Sequence, residues 1–568
     1  MLEVRNFSIA FSTSTGLKPA VRGIDFAIKP GEILGLVGES GSGKTITSLG
    51  VMGLLPPNAV VTGGEVLVDG VDMLKLSPAE LRKLRGRQVS MIFQDPMASL
   101  DPIFTCGDQI VEAILLHETI GKTAARKKAL ELLEKVRIPD PERTMRSYPH
   151  ELSGGQCQRV MIAMAVSCKP RIIIADEPTT ALDVTVQKQV LDLLRGLNQE
   201  VGAAILLITH DLGVIYEVAD RVVVMYAGKK MEEATTQELF ANPQSDYAKA
   251  LIDSMPALGT KHARLPVIQR DDAGNVRSVR PEARARSAEA GPVPDDADGV
   301  PLLELKDLCK SYWVKPTPLS APVEMRAVDN VNIAIAPRTT LGLVGESGCG
   351  KTTLSRAVMR LSTPGSGQIL FNGKDIAKLS ESAMQPFRRE IAMVFQNPYG
   401  SLNPRQAVAD LVAAPMVIVG EGTSAERSKR VAYLLDAVGL PKAAASRYPH
   451  EFSGGQRQRI AVARALALKP SLVICDEAVS ALDVSVQAQV LNLLKDLQVE
   501  FDLTYLFISH DLSVVEHVSD TVAVMQKGRI VEYGPADDIF AAPKDAYTRM
   551  LLDAVPIIGV DRAARRAQ

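Results

Sequence analysis

A glycine-rich octapeptide, GESGSGKT, runs from Gly38 to Thr45 behind the apolar stretch EILGLV and ahead of a helical one. Such small residues let backbone N–H groups turn inward around phosphate oxygens at the positive end of a helix. Gly38, Ser40, Gly41 and Gly43 form the cradle, Lys44 supplies a point charge for β- and γ-phosphates, and Thr45 a hydroxyl for Mg2+. A second octapeptide, GESGCGKT, repeats the design with Gly345, Ser347, Gly348, Gly350, Lys351 and Thr352. Two acidic pairs belong with these loops. RIIIADEP carries Asp176 and Glu177 at the end of an apolar run, and SLVICDEA carries Asp476 and Glu477. The first carboxylate of each pair is placed to hold Mg2+, and the second to polarise an attacking water as a general base. Alone, two acidic residues could simply cap a helix. Beside a phosphate loop, whose nucleotide brings a cation, they point to nucleoside triphosphate hydrolysis.

The elements that position these residues occur twice. FQDPMASLDP (from Phe93) returns as FQNPYGSLNP (from Phe395), YPHELSGGQCQR (from Tyr148) as YPHEFSGGQRQR (from Tyr448), and THDL (from Thr209) as SHDL (from Ser509). His510 follows His210 by 300 residues, a domain-sized interval rather than a solenoid repeat. Of 7 histidines, only His150/His450 and His210/His510 have counterparts. The latter pair, which follows a hydrophobic strand in both copies, is the better functional candidate. Within each copy, strand-like runs (EILGLVG, RIIIADE, AAILLITH, RVVVMYAG) alternate with helical stretches such as VTVQKQVLDLLRGLNQEVG. That alternation predicts an α/β fold, with a mostly parallel sheet core flanked by helices. A helix-rich region from about Gly107 to Val166 predicts an inserted helical subdomain bearing the LSGGQ motif. The expected organisation is a first domain at 1–259, a flexible linker at 260–300 and a second domain at 301–568. The linker lacks aromatics and is dominated by charge, Pro, Gly and Ala, which argues against self-ordering.

Composition limits the partners. Over 568 residues, 46% are hydrophobic and 23% charged, as in a multidomain globular protein. A net charge of −2 gives no global basic field for nucleic acid. No apolar run approaches the roughly 20 residues of a membrane-spanning helix, and no signal-peptide core opens the chain. The six cysteines contain no C-x-x-C pair, so neither a disulfide framework nor a zinc site is expected.

LSGGQ at Leu152–Gln156 and FSGGQ at Phe452–Gln456 resemble the signature of the ATP-binding cassette (ABC) family, and the resemblance covers nearly all of the chain outside the linker. It implies two tandem P-loop NTPase domains that use ATP and Mg2+. Ser153, Gly154, Gly155 and Gln156, with Ser453, Gly454, Gly455 and Gln456, would contact nucleotide bound by the opposite half. A Ser-Gly-Gly helix start is physically suited to that, being an anion site without a positive side chain. The resemblance further assigns Gln94 and Gln396 to the Q-loop beside metal or water. Ala181-Leu182-Asp183 and Ala481-Leu482-Asp483 match the D-loop, His210 and His510 the switch histidine, and Phe11 and Tyr312 the adenine-stacking aromatics. Cys157 and Met164 stand where the second half has Arg457 and Arg464, and Ala478 and Val479 replace Pro178 and Thr179. None of these differences removes a phosphate, metal or water ligand, so two hydrolytically competent sites are expected.

The segments around the motifs, with the tails NPQSDYAKALIDSMP (Asn242–Pro256) and APKDAYTRMLLDAVP (Ala542–Pro556), resemble the dipeptide/oligopeptide importer branch, which also serves glutathione and peptide antibiotics. That implies two transmembrane permease subunits, an extracytoplasmic solute-binding protein and a place on the cytoplasmic face of the membrane. The cysteine-rich tail that binds an iron–sulphur cluster in some members is missing, so no such cofactor is expected. A tandem-cassette translation factor acting on the ribosome is the main alternative. Such factors join their halves by a long charged helical arm, which a linker interrupted by Pro and Gly and without apolar periodicity is not expected to form. A DNA-repair ATPase lacks support because no coiled coil or zinc cysteines interrupt the halves.

Overall fold

The computed structural model describes residues 1–179, 182–259, 263–271, 276–282, 299–314, 321–480 and 482–556. The chain divides into two compact units. One comprises Met1–Ile252, Ile268–Ser278 and Pro556–Gln568, the other Asp253–Val267 and Val279–Val555.

In the first unit a six-stranded sheet has the order Lys229–Thr235, Arg221–Tyr226, Ile33–Val37, Ala204–Ile208, Ile172–Asp176, Val89–Ile92. All neighbours run parallel except the first pair. The central strands are buried along their whole length, which explains their unbroken Ile, Leu and Val runs. The second unit repeats this order with Arg529–Pro535, Thr521–Gln526, Thr340–Val344, Thr504–Ile508, Leu472–Asp476 and Ile391–Val394. The α/β expectation therefore holds in each half. Each half also carries a four-stranded antiparallel sheet, built on the long strands Leu2–Thr13 and Gly16–Ile28 in one case and Leu303–Val314 and Val323–Ile335 in the other. Alternation of apolar and polar residues in these strands buries one face only. Leu2, Val4, Phe7 and Ile9 join the core shared with the parallel sheet.

The helical insertion is present in both halves. Helices Cys106–His117, Lys122–Lys135 and Gly154–Val166 correspond to Val408–Ile418, Ser424–Ala437 and Gly454–Ala465. No helix among the described residues is long and apolar enough to cross a membrane.

The segment 260–300 departs from a featureless linker. Its described residues form the strands Val267–Arg270 and Val276–Val279, paired in a two-stranded sheet. Leu265, Val267, Ile268 and Val276 are buried. Within the second unit, Asn492 of the helix Val484–Phe501 accepts from the Leu265 N–H at 3.0 Å and donates to its carbonyl at 2.7 Å. Arg264 pairs with Asp496 one turn further along. Four buried apolar side chains and one buried amide thus lie among the described residues of a stretch whose average composition is polar. Residues 260–262, 272–275 and 283–298 of the proposed linker, and Ala181 and Ala481 of the D-loop motifs, lie outside the described residues.

Candidate active sites

Four functional segments of each half follow four parallel strands of one sheet, at their carboxyl ends, where α/β folds place their ligands. The octapeptide Gly38–Thr45 follows Ile33–Val37, His210 follows Ala204–Ile208, the acidic pair closes Ile172–Asp176, and Gln94 follows Val89–Ile92. Side chains as far apart in sequence as Thr45 and Asp176, 131 residues, meet because their strands belong to one sheet.

The phosphate loop is preformed. Gly38 has φ 149° and Gly345 φ 150°, and a Cβ at these positions would lie 2.1 Å from the Met225 carbonyl and 2.2 Å from that of Met525. At Gly41 and Gly348, with φ of 78° and 79°, a Cβ would meet nothing within 4 Å, leaving room for an anion. Lys44 Nζ donates to the Gly38 carbonyl at 2.6 Å and the Glu39 carbonyl at 3.0 Å. Lys351 makes the same two bonds to Gly345 and Glu346 at the same distances. Thr45 Oγ1 donates to Asp176 Oδ1 at 3.3 Å, a hydroxyl–carboxylate pair suited to sharing a divalent cation. In the second half Thr352, Gln396 and Asp476 line one cavity of about 690 Å3. Burial, then the charge of the adjoining glutamate, pushes Asp176 and Asp476 up to about 6 each. Crowded carboxylates of this kind fit a cation partner.

Glu177 and Glu477 both adopt φ 48°, a left-handed conformation unusual for glutamate and repeated in both halves. Their amides donate to Ile208 and Ile508, which anchors the turn. Gln94 Nε2 donates to the Glu177 carboxylate at 2.9 Å, and Gln396 to that of Glu477 at 2.7 Å. His210 Nδ1 lies 3.4 Å from Glu177, and His510 Nδ1 3.5 Å from Glu477. Burial opposes ionisation of Glu477, yet the His510 hydrogen bond and charge, with Lys351 beyond, hold its carboxyl below the ordinary range. Burial opposes ionisation of His510 too, yet Glu477 raises it above the ordinary imidazole range. Candidate base, metal-side glutamine and histidine thus meet in both halves.

The signature serines are helix N-caps. Ser153 opens Gly154–Val166 and Ser453 opens Gly454–Ala465, each in a capping box with Gln156 or Gln456. Both serines are exposed. Gly155 and Gly455 face Val186 and Val486, where a Cβ would come within 3.2 and 2.1 Å. A side chain at Gly455 would overlap Val486, and one at Gly155 would crowd Val186. Phe11 lies on Leu2–Thr13 and packs partly buried against the core, whereas Tyr312 is 38% exposed with Lys310 Nζ 5.3 Å from its ring centre. The two sequence departures in the signature helix differ in consequence. Cys157 Sγ and Arg457 Nε both donate to the carbonyl of the equivalent proline, Pro149 or Pro449. Arg464 donates to the Ser401 carbonyl beyond the Q-loop, a bond that Met164 has no group to make.

Comparison with known proteins decides the family. The model described as ABC transporter matches residues 21–180 and 328–480. The chain belongs to the ABC transporter family. The oligopeptide/dipeptide transporter C-terminal region matches 231–279 and 531–568, once after each ATPase core. A glutathione import ATP-binding protein, GsiA, of Pectobacterium atrosepticum is 46% identical over 100% of this chain and 91% of its own length. The GsiA of Escherichia coli O157:H7 is 46% identical over 98% of this chain and 90% of its own. A solved cassette titled as the dimeric post-hydrolysis state of MJ0796 bound to ADP and Pi is 27% identical. It covers 41% of this chain and 98% of its own, with a TM-score of 0.38. This ABC protein is an ATPase of the peptide-type importer class and works with membrane permease partners. The ribosomal alternative is set aside. The match to 231–279 includes the described residues 263–271 and 276–279, so this part of the supposed linker belongs to the transporter-specific region.

Proposed function

We propose that this chain is the twin ATPase that drives uptake of glutathione or short peptides from the cytoplasmic face of a membrane. Two permease subunits form the path, and an extracytoplasmic solute-binding protein delivers the cargo. The meeting of Glu, Gln and His behind a preformed phosphate loop, in both halves, carries the catalytic reading. The names of the near-full-length relatives support the cargo.

Lys44 and Lys351 bind the β- and γ-phosphates of ATP, assisted by the loop amides of Gly38–Thr45 and Gly345–Thr352. Thr45, Asp176 and Gln94 would hold Mg2+ in one half, and Thr352, Asp476 and Gln396 in the other. When bound, that ion offsets phosphate charge and orients the γ-phosphoryl group. Glu177 and Glu477 take the proton of the attacking water as its oxygen bonds to the γ-phosphorus and the bond to the ADP oxygen breaks. His210 and His510 hold the glutamates and face the developing charge. Phe11 and Tyr312 stack on adenine. Ser153–Gln156 and Ser453–Gln456 close over the γ-phosphate held by the opposite half, so ATP joins the halves and hydrolysis releases them.

The test is ATPase activity of the complete transporter in proteoliposomes with its solute-binding protein. Glutathione or short peptides on that protein should stimulate turnover several-fold above the unloaded protein. A panel of both that leaves turnover flat would overturn the cargo assignment.

A further inference from the structure

Each transporter-specific tail sends one tyrosine back to a phosphate loop. Tyr247, on the helix Asp246–Asp253, and Tyr547, on Ala546–Asp553, are 1% and 6% exposed. The backbone N–H of Glu39 donates to the Tyr247 hydroxyl at 3.2 Å, and that of Glu346 to the Tyr547 hydroxyl at 3.0 Å. Those amides belong to the Gly38–Glu39 and Gly345–Glu346 peptides. A trans peptide directs its N–H and its C=O to opposite sides of one plane. The carbonyls of the same two peptides receive Lys44 Nζ and Lys351 Nζ, both at 2.6 Å. One rigid plane therefore carries a tyrosine on one edge and the phosphate-binding lysine on the other. The adjoining glycines, at φ 149° and 150°, leave that plane little restraint of their own, because glycine turns freely.

We propose that Tyr247 and Tyr547 are positioning residues for Lys44 and Lys351, acting through the Gly38–Glu39 and Gly345–Glu346 peptides. The transporter-specific tail thereby sets how tightly each ATPase core holds nucleotide. In the first half the same tail reinforces the contact: Tyr226 packs on Tyr247 at 4.5 Å between ring centres, and Arg270 lies over Tyr226 while pairing with Glu39. The second half has Gln526 in place of Tyr226.

The proposal rests on ATP binding at the two loops. Its test is the full chain carrying Y247F with K351A, which reports the first site, and Y547F with K44A, which reports the second. Titration with a fluorescent ATP analogue should show affinity lowered about 3- to 10-fold, the worth of one buried hydrogen bond. The nucleotide-free thermal midpoint should stay within about 2 °C of the matching single-lysine variant. Adding Y247F to K44A in the K351A background should leave the residual affinity of the first loop unchanged. Unchanged affinity in both phenylalanine variants would overturn the proposal, as would an equal loss with and without the lysine of the same loop. A wild-type chain that binds no analogue would instead sink the nucleotide assignment itself. Should Y247F not fold, Y547F decides on its own.

Discussion

At the residue scale, the site is most sensitive where geometry leaves no choice of side chain. Gly38→Ala would drive a methyl group into the Met225 carbonyl at 2.1 Å, in a conformation that alanine avoids. The octapeptide should lose its shape and the first loop its ATP, read as loss of one nucleotide-binding event by calorimetry. Retention of two would show that the loop refits. Glu177→Gln and Glu477→Gln test the chemistry rather than the cradle. Each keeps volume and polarity but cannot take a proton, so each should lower turnover, and the pair by about 100-fold or more. ATP should remain bound, and the closed form should accumulate. A single variant with full steady-state turnover would mark its site as catalytically silent. These residues were legible because P-loop and acidic-pair chemistry is written in short contiguous motifs. Tyr247 and Tyr547 were not, since their partner is a backbone amide some 200 residues away and a lone buried tyrosine has no sequence signature.

At the element scale, the parallel core was readable from unbroken apolar runs, while the antiparallel sheet escaped notice because its strands alternate and are long and irregularly paired. The stretch 263–279 shows the limit of composition most directly. Averaging over a segment rich in charge, Pro, Gly and Ala hides Leu265, Val267, Ile268 and Val276, which are buried. Their attachment has a discrete lock, the buried Asn492 amide, which satisfies both the N–H and the carbonyl of Leu265. Asn492→Ala would leave two buried backbone groups unpaired, costing about 1–3 kcal/mol each. The expected result is faster tryptic cleavage at Arg264 and Arg270, with a lowered thermal midpoint of the second unit. Cleavage at the wild-type rate would mean that the apolar side chains alone hold the segment.

At the scale of the whole molecule, the duplication raises the question of which loop works with which signature. Ser153 and Ser453 are exposed helix caps, so an arginine at either position fills the anion site without entering a core. If each ATP is shared across the halves, Lys44 works with Ser453 and Lys351 with Ser153. The test is a count of occluded ATP per chain in the Glu177→Gln, Glu477→Gln background, where hydrolysis no longer empties the sites. Two ATP should be trapped at the start, one after Ser453→Arg, and one still after Lys44→Ala is added, because both changes strike the same site. Ser453→Arg with Lys351→Ala should trap none. The reverse pattern, one ATP left by Ser453→Arg with Lys351→Ala and none with Lys44→Ala, would confine each site to its own half. The fusion would then join two separate ATPases instead of dividing each site between two lobes of one machine.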